Sequence, residues 1–250
     1  MSTKVDITAI MTAHTEGVLA GPSIISFEQA IETARAEALI VEGVIVLDRP
    51  DVATLQQFTS LEAQYQIIVT DEGDPGLARN AGVRAAQGNF VAFLDGDDLW
   101  SRNWLVEAHR VGVASPDRLV VHPEIDVIFG EIRAMWWQVD SRNPDFDVDL
   151  LRFANHWDAM SFGARSIYLS HPFVENDLEQ GFGHEDWHWN CVTLAAGIDH
   201  CPALGTAHFK RRRKGSQLSL CEAVDAVPWM TPVASYDWLK TCKTDVGPAR

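Results

Sequence analysis

The first hundred residues alternate short apolar runs with segments of helical spacing, and this alternation limits the fold more than any other feature of the chain. The apolar runs predict four strands: Ile7 to Ala13, Val44 to Leu47, Gln66 to Val69 and Phe90 to Leu94. The helical segments run from Phe27 to Ala38, with Ser26 as N-cap, from Val52 to Thr59, and from Leu77 to Gly88. Strands joined by helices build a mostly parallel sheet flanked by helices, so the sequence predicts an α/β fold.

Polar residues follow these predicted strands where each one ends. Thr12 and His14 close the first strand, Asp48 closes the second, and the fourth leads into Asp95-Gly96-Asp97-Asp98. The carboxyl ends of parallel strands share one edge, and open α/β sheets bind ligands at that edge. One cleft could therefore collect these residues, together with Arg79, around a nucleotide.

The acidic cluster at 95–98 needs a cation, because three neighbouring carboxylates repel one another. Mg(II) or Mn(II) fits best, since these ions accept one or two carboxylates and leave their other positions to water and phosphate oxygens. The alternative is a solvated acidic turn in which Asp97 or Asp98 caps the next helix.

Composition favours a globular protein and argues against a general nucleic-acid binder. The chain has 250 residues, 46% of them hydrophobic, and a formal net charge of −15 that would repel a phosphate backbone. No stretch approaches the roughly 20 apolar residues of a transmembrane segment, and no leader pattern opens the chain. A cytoplasmic location is the default expectation.

One basic segment, residues 210–214, opposes the overall charge. Three interpretations are open: a solvated loop, a nucleic-acid arm, or a flexible loop that closes over phosphates. In an acidic chain with a predicted metal and diphosphate we favour the last, with Arg211 and Lys214 as phosphate contacts.

The residues Ala78-Arg79-Asn80-Ala81-Gly82 and the stretch from Gly88 to Trp100 carry a family resemblance. They closely resemble family 2 glycosyltransferases of the GT-A fold, whose pattern is an Arg-Asn-x-Gly helix, a glycine, an apolar strand, and then Leu-Asp-x-Asp-Asp with an aromatic residue. The helix, the strand and the acids occur at the family's spacing, and a weaker resemblance covers most of the chain. The GT-A fold is the expectation that follows.

This resemblance implies a nucleotide-sugar donor and a Mn(II) or Mg(II) ion. Asp48 resembles the acid that contacts the base, Asp95 the acid near the ribose and metal, and Asp97 the metal ligand that bridges to the diphosphate. His208, before the basic segment, resembles a third metal ligand. Residues 48–51 depart from the family's Asp-Asp-Gly-Ser, which leaves the donor open between UDP- and GDP-sugars.

The second half is expected to carry the acceptor site and the base. Glu185 and Asp186 resemble the family's acidic motif at the start of a helix, whose aspartate is the catalytic base in inverting members. We therefore assign the base to Asp186, with Glu185 second, although acids also favour the first turn of any helix. Transfer to a hydroxyl of a saccharide, a lipid-linked molecule or a small molecule would follow.

Trp136, Trp137 and Trp157 add aromatic surface to the same half. Aromatic faces stack on the apolar faces of sugars, but core packing is the commoner role of a tryptophan. Both interpretations stay open.

Two rival functions come from the same residues. His184-Glu185-x-x-His188 also spells a zinc metallohydrolase motif, in which two histidines hold Zn(II) and the glutamate activates water. A nucleotide-binding module without catalysis is the other rival, and the presence of both the metal acids and Asp186 speaks against it.

The predicted organisation is one GT-A glycosyltransferase domain over residues 1–220. Its nucleotide-binding half covers 1–100 and its acceptor and catalytic half covers 101–220. Residues 221–250 form a C-terminal extension that Trp229 and Trp238 would pack onto the core.

Overall fold

The structure is a computed structural model that describes residues 4–235, in which nine strands and seven α-helices form a mixed α/β fold. The strands are β1 (Ile7–Ala13), β2 (Val41–Asp48), β3 (Gln66–Thr70), β4 (Phe90–Asp95), β5 (Leu99–Trp100), β6 (Leu119–Gly130), β7 (Ala134–Trp137), β8 (Phe162–Ala164) and β9 (Asp199–Arg212). The helices are α1 (Ala20–Ala36), α2 (Val52–Thr59), α3 (Pro75–Ala85), α4 (Trp104–Gly112), α5 (Arg165–Ser170), α6 (Glu185–Ala195) and α7 (Gln217–Ala223). The four strands predicted in the first hundred residues are all present.

A single sheet with strand order β3-β2-β1-β4-β8-β6-β9-β5 runs through the molecule, and β7 pairs with β6 beside this path. The first four strands are parallel to one another, and β8 joins β4 to β6 in antiparallel pairs. β9 then lies parallel to β6 along almost its whole length. The carboxyl ends of β1, β2 and β4 therefore meet at one edge, as the sequence predicts for its α/β fold.

The central strands are buried because helices cover them. Every residue of β1 is buried, and Ile10, Val46 and Phe93 have no exposed surface. Strands buried on both faces require continuous apolar runs, which explains why these segments do not alternate. β3 lies at the end of the sheet and is partly exposed.

Two local predictions are wrong. Ser26 does not cap a helix, because α1 begins at Ala20 and carries Gly21-Pro22 in its first turn. Proline is tolerated there because the backbone N–H groups of the first turn have no carbonyl partner within the helix. The basic segment is not simply a flexible loop. Lys210 to Arg212 are the last residues of β9, held in register against β6.

Residues from α7 to Val233 pack against the rest of the molecule. α7 crosses the predicted boundary at residue 220, Trp229 stacks on Phe182 with ring centroids 3.8 Å apart, and Val233 joins a buried cluster with Trp157. Trp238 lies outside the described residues, and the division into domain and extension stays a prediction. No helix among residues 4–235 combines the length and apolarity needed to cross a bilayer.

Close packing between α3 and the sheet predicts an asymmetry between two glycines. A Cβ on Gly82 would lie 2.6 Å from Cγ2 of Ile10, whereas a Cβ on Gly21 in α1 would meet nothing within 4 Å. Gly82→Ala should therefore lower the free energy of unfolding by about 1–3 kcal/mol, the usual cost of overpacking. Gly21→Ala, the matched control, should lose none, and urea unfolding of both variants measures the difference. Equal stability of the two variants would contradict this packing.

Candidate active site

A cavity of about 550 Å³ lies at the edge where β1, β2 and β4 end. The start of α6 and the end of β9 complete its walls. Most of the predicted site residues line it: Thr12, His14, Asp48, Arg79, Asp95, Asp97, Glu185, Asp186 and Arg211. Lys214 is exposed and does not line the cavity, whereas Lys210 and Arg213 from the same basic segment do.

Asp48 fixes the loop that follows β3. Its carboxylate accepts hydrogen bonds from the Thr70 hydroxyl and from the backbone N–H groups of Glu72 and Gly73, each at 2.8 Å. The carbonyl oxygen of Asp48 contacts Nδ1 of His14. The two polar residues after β1 and β2 are thus tied together at one end of the cavity.

Arg79 joins the two halves of the cavity. Its guanidinium donates to Asp95 at 2.9 Å, at the tip of β4, and to Glu185 at 2.7 Å, at the start of α6. Burial alone would lower the pKa of Arg79, but these two carboxylates raise it above its ordinary value. The side chains of Arg79 and Glu185 are only 4% and 7% exposed, so their ion pair is shielded from water, whereas Asp95 is 33% exposed. Arg79 therefore sets the position of α6 relative to the acidic cluster.

The charge of Asp97 is only partly compensated. Burial, and then repulsion from Asp98, raise the pKa of Asp97 to about 6, against the opposing effect of Arg213. Nε of Arg213 donates to the Asp97 carboxylate at 2.6 Å and Nη2 lies 3.3 Å from Glu16. A carboxylate that is buried, repelled by its neighbour and open to the cavity fits a hard divalent cation.

Asp98 is engaged in a buried network around His208. One oxygen of Asp98 lies 2.9 Å from Nε2 of His208, and the other accepts the backbone N–H of Arg211 at 2.6 Å. Nδ1 of His208 lies 3.2 Å from Asp126 and 3.1 Å from Asp158. Burial alone would lower the pKa of His208, but Asp158 and Asp98 raise it well above its ordinary value.

This network was only partly predictable. The sequence singled out His208 but not Asp126 or Asp158. Asp126 lies inside β6, Asp158 follows a tryptophan in an irregular segment, and no sequence motif marks either residue. Ligand atoms of Asp126, Asp158 and His208 lie within 4.8 Å of one another, so this group has the composition of a metal site. Cationic side chains already lie beside these carboxylates, however: Lys210 is 3.3 Å from Asp158, and both ring nitrogens of His208 face carboxylates, which raise the pKa of that ring against the effect of burial.

Asp186 is the carboxylate best placed to act as a base. One of its oxygens accepts the backbone N–H of Trp187 at 2.7 Å, and within residues 4–235 the other has no hydrogen-bond partner. Burial, and then the negative charge of Glu185, raise the pKa of Asp186 to about 7. Glu185 itself is held by Arg79 and by Asn176 at 3.0 Å. A free, weakly basic carboxylate suits proton abstraction near neutral pH.

The geometry opposes the metallohydrolase interpretation. His184 adopts a left-handed conformation before α6 begins, with φ of 59°, so it does not share a regular helical turn with His188. Glu185 is committed to Arg79. Within the described part of the chain these three residues do not form a group of convergent ligand atoms.

Comparison with known proteins gives the family. The model of glycosyl transferase family 2 matches residues 10–173, and the chain belongs to this family. An uncharacterized glycosyltransferase of Nostoc sp. (strain PCC 7120), alr2836, is 32% identical over 125 residues, which are 48% of this chain and 38% of that protein. The match spans less than half of that relative.

Solved structures confirm the GT-A fold. S. aureus TarS in complex with UDP-GlcNAc superposes with a TM-score of 0.59 at 18% identity, over 86% of this chain and 61% of that chain. The mannosyltransferase PcManGT of Pyrobaculum calidifontis, in complex with GDP-Man and Mn2+, gives a TM-score of 0.55 at 14% identity, over 86% and 59%. At this identity the likeness establishes the fold alone.

The Arg79 bridge predicts a large loss of stability on removal of its charge. Arg79→Met leaves Asp95 and Glu185 facing each other without a cation, and loss of one partner from a buried ion pair costs about 3–5 kcal/mol. Chemical denaturation of wild type and variant measures the change. Arg49→Met is the control, since Arg49 and Asp71 form an exposed pair, and it should leave the midpoint unchanged. Equal effects of the two substitutions would contradict the role of Arg79.

Proposed function

We propose that this protein is a metal-dependent, inverting glycosyltransferase that moves a sugar from a UDP- or GDP-sugar to a hydroxyl of an acceptor. One observation carries the proposal. A single cavity is lined both by the acidic cluster at the end of β4 and by Asp186, in the first turn of α6, which has a free carboxylate oxygen. Inversion requires such an arrangement, with the base on the face of the sugar opposite the leaving diphosphate.

The ligands of solved structures with this fold support the donor class. TarS was solved with UDP-GlcNAc and PcManGT with GDP-Man and Mn2+. This chain covers about three fifths of each of those chains. A nucleotide-sugar donor is therefore our proposal for this chain. The pairing of Asp48 with the loop after β3 provides a shaped end of the cavity for the nucleotide base.

Asp97 and Asp95 would hold Mn(II) or Mg(II), with Asp97 as the principal ligand because Arg79 already engages Asp95. When bound, the ion neutralises charge on the diphosphate as it leaves the sugar. Arg213 and Arg211 contribute positive charge at the same wall, since Arg213 contacts the Asp97 carboxylate and Nε of Arg211 donates to the Asp97 carbonyl. Charged donors aimed at the leaving group are worth most in such a partly buried site.

Asp186 would take the proton of the acceptor hydroxyl as this oxygen attacks the anomeric carbon. The backbone N–H of Trp187 orients the carboxylate and leaves its second oxygen for the proton. Arg79 and Glu185 hold the first turn of α6 in place, so the base keeps a fixed position relative to the acidic cluster. Positioning of this kind is a large part of enzymatic rate acceleration.

Donor binding is predicted to depend on Asp97 and on the metal. Thermal unfolding is measured with UDP, GDP and their sugars, each with Mn(II), Mg(II), Zn(II) or a chelator. A ligand that binds only the folded state raises the midpoint by mass action, so one nucleotide should stabilise the wild type when Mn(II) or Mg(II) is present. Asp97→Ala should abolish this shift, while Asp71→Ala, an exposed acid outside the cavity, should keep it. Stabilisation by Zn(II) alone would favour the metallohydrolase instead.

Loss of the base is predicted to separate binding from transfer. Asp186→Asn should keep the nucleotide-dependent shift and lose about 10²–10⁴-fold in transfer rate, the usual contribution of a general base. In the wild type the base is active only when deprotonated. Because the pKa of Asp186 lies at about 7, the rate should fall tenfold per pH unit below 7 and level off above it. Product formation from the nucleotide sugar that the thermal panel identifies measures both effects.

Glu185→Gln serves as the comparison, since Glu185 is held by Arg79, and this variant should still transfer at pH 8. A wild-type rate in Asp186→Asn, or no turnover in the wild type with any stabilising donor, would refute the assignment of the base. The second result would favour a nucleotide-binding module without catalysis.

A further inference from the structure

We propose that the acceptor is a pyranoside whose apolar face stacks on the indole of Trp136. This inference rests on the proposed function and names the substrate class of the acceptor side of the same cavity. It follows from the placement of Trp136 and Trp137 on opposite faces of one strand.

The β6–β7 hairpin separates the two tryptophans. In its register Asp126 lies opposite Trp136, and Ile125 lies opposite Trp137. Residues directly opposite each other in an antiparallel pair project to the same face, and neighbours along a strand project to opposite faces. The side chain of Asp126 is fully buried beside His208, so Trp136 lies on the inner face of the hairpin and Trp137 on the outer face.

Trp136 is an aromatic surface without a partner. It lines the cavity and is 38% exposed, and among residues 4–235 no ring stacks on it and no group accepts its Nε1–H. Trp157 differs, because it is 1% exposed and packs on His200 with ring centroids 4.4 Å apart. Of the three tryptophans that the sequence singled out in this half, Trp136 and Trp157 line the cavity, but Trp157 belongs to the core and Trp136 is the one with substantial exposed surface there.

Polar groups line the same cavity as this aromatic side chain. Asn155 and His156 line the same cavity, and the Asn155 side-chain oxygen accepts from Asn190 at 2.9 Å, which leaves its NH₂ group to donate elsewhere. Burial lowers the pKa of His156, so its ring is neutral at pH 7 and can both donate and accept. The free oxygen of Asp186 belongs to the same cavity.

A pyranose matches this combination. Its axial C–H bonds form a flat apolar face with a slight positive charge, which suits the negative face of an indole ring. Its hydroxyl groups point outward around the ring, where amide, imidazole and carboxylate groups can bond them. A linear polyol has the hydroxyls without the flat face, and an alkyl alcohol has apolar surface without the ring of hydroxyls.

Saturation-transfer NMR tests the proposal on the full chain with the stabilising nucleoside diphosphate and Mg(II) present. The probes are methyl glucoside, methyl galactoside, methyl mannoside, cellobiose, chitobiose, ribitol and 1-hexanol. At least one pyranoside should bind through the hydrogens of its apolar face, and ribitol and 1-hexanol should not. Trp136→Ala should weaken that binding by roughly five- to tenfold, and Trp136→Phe should restore most of it. Trp137→Ala is the matched control on the outer face and should bind like the wild type.

The proposal is wrong if no pyranoside binds, if ribitol or 1-hexanol binds as well as the pyranosides, or if Trp136→Ala and Trp137→Ala behave alike. The thermal shift with nucleotide is recorded for every variant. A normal nucleotide shift with unaltered pyranoside binding in Trp136→Ala overturns the stacking role alone. Loss of nucleotide binding in the wild type overturns the proposed function instead.

Discussion

The buried guanidinium of Arg79 is the interaction on which the site depends. It comes from α3 and holds two carboxylates that belong to different halves of the fold, Asp95 at the end of β4 and Glu185 at the start of α6. An isolated buried charge would be very costly, so the buried charges of Arg79 and Glu185 are stable only because they have partners. The consequence is geometric: the acidic cluster and the helix that carries Asp186 are fixed relative to each other before any ligand arrives.

Charge balance explains the rest of the cavity. Asp95, Asp97 and Asp98 are close in sequence, but each contacts a different basic side chain: Arg79, Arg213 and His208 respectively. Acidic side chains also pair with the basic segment at the end of β9. This pairing helps to hold the segment in place. Of the three carboxylates, Asp97 has the partner that is most exposed, with an Arg213 side chain 28% accessible. It is the position where an incoming divalent cation meets the least competition.

The fold was predictable because its signals are local. Apolar runs the length of a strand, helical spacing and turn residues mark the first half, and the pattern from Arg79 to Asp98 identifies the family. The sequence could not show features that depend on contacts between distant residues. These are the ion pair of Glu185 with Arg79 and the position of Asp126 and Asp158 around His208. The sequence also could not show that Arg213 reaches the cavity while Lys214 does not. The misplaced start of α1 has a local cause, since Gly21-Pro22 resembles a loop but is compatible with a first helical turn.

The central claim is that the strand tip, and not the buried network behind it, receives the metal. A crystal structure with Mn(II) and the stabilising nucleoside diphosphate, with anomalous scattering recorded from manganese, tests it most directly. We expect one anomalous peak in contact with the Asp97 carboxylate and the diphosphate, with Arg79 still joining Asp95 to Glu185. A peak among Asp126, Asp158 and His208, with Asp97 still bound to Arg213, would contradict the account.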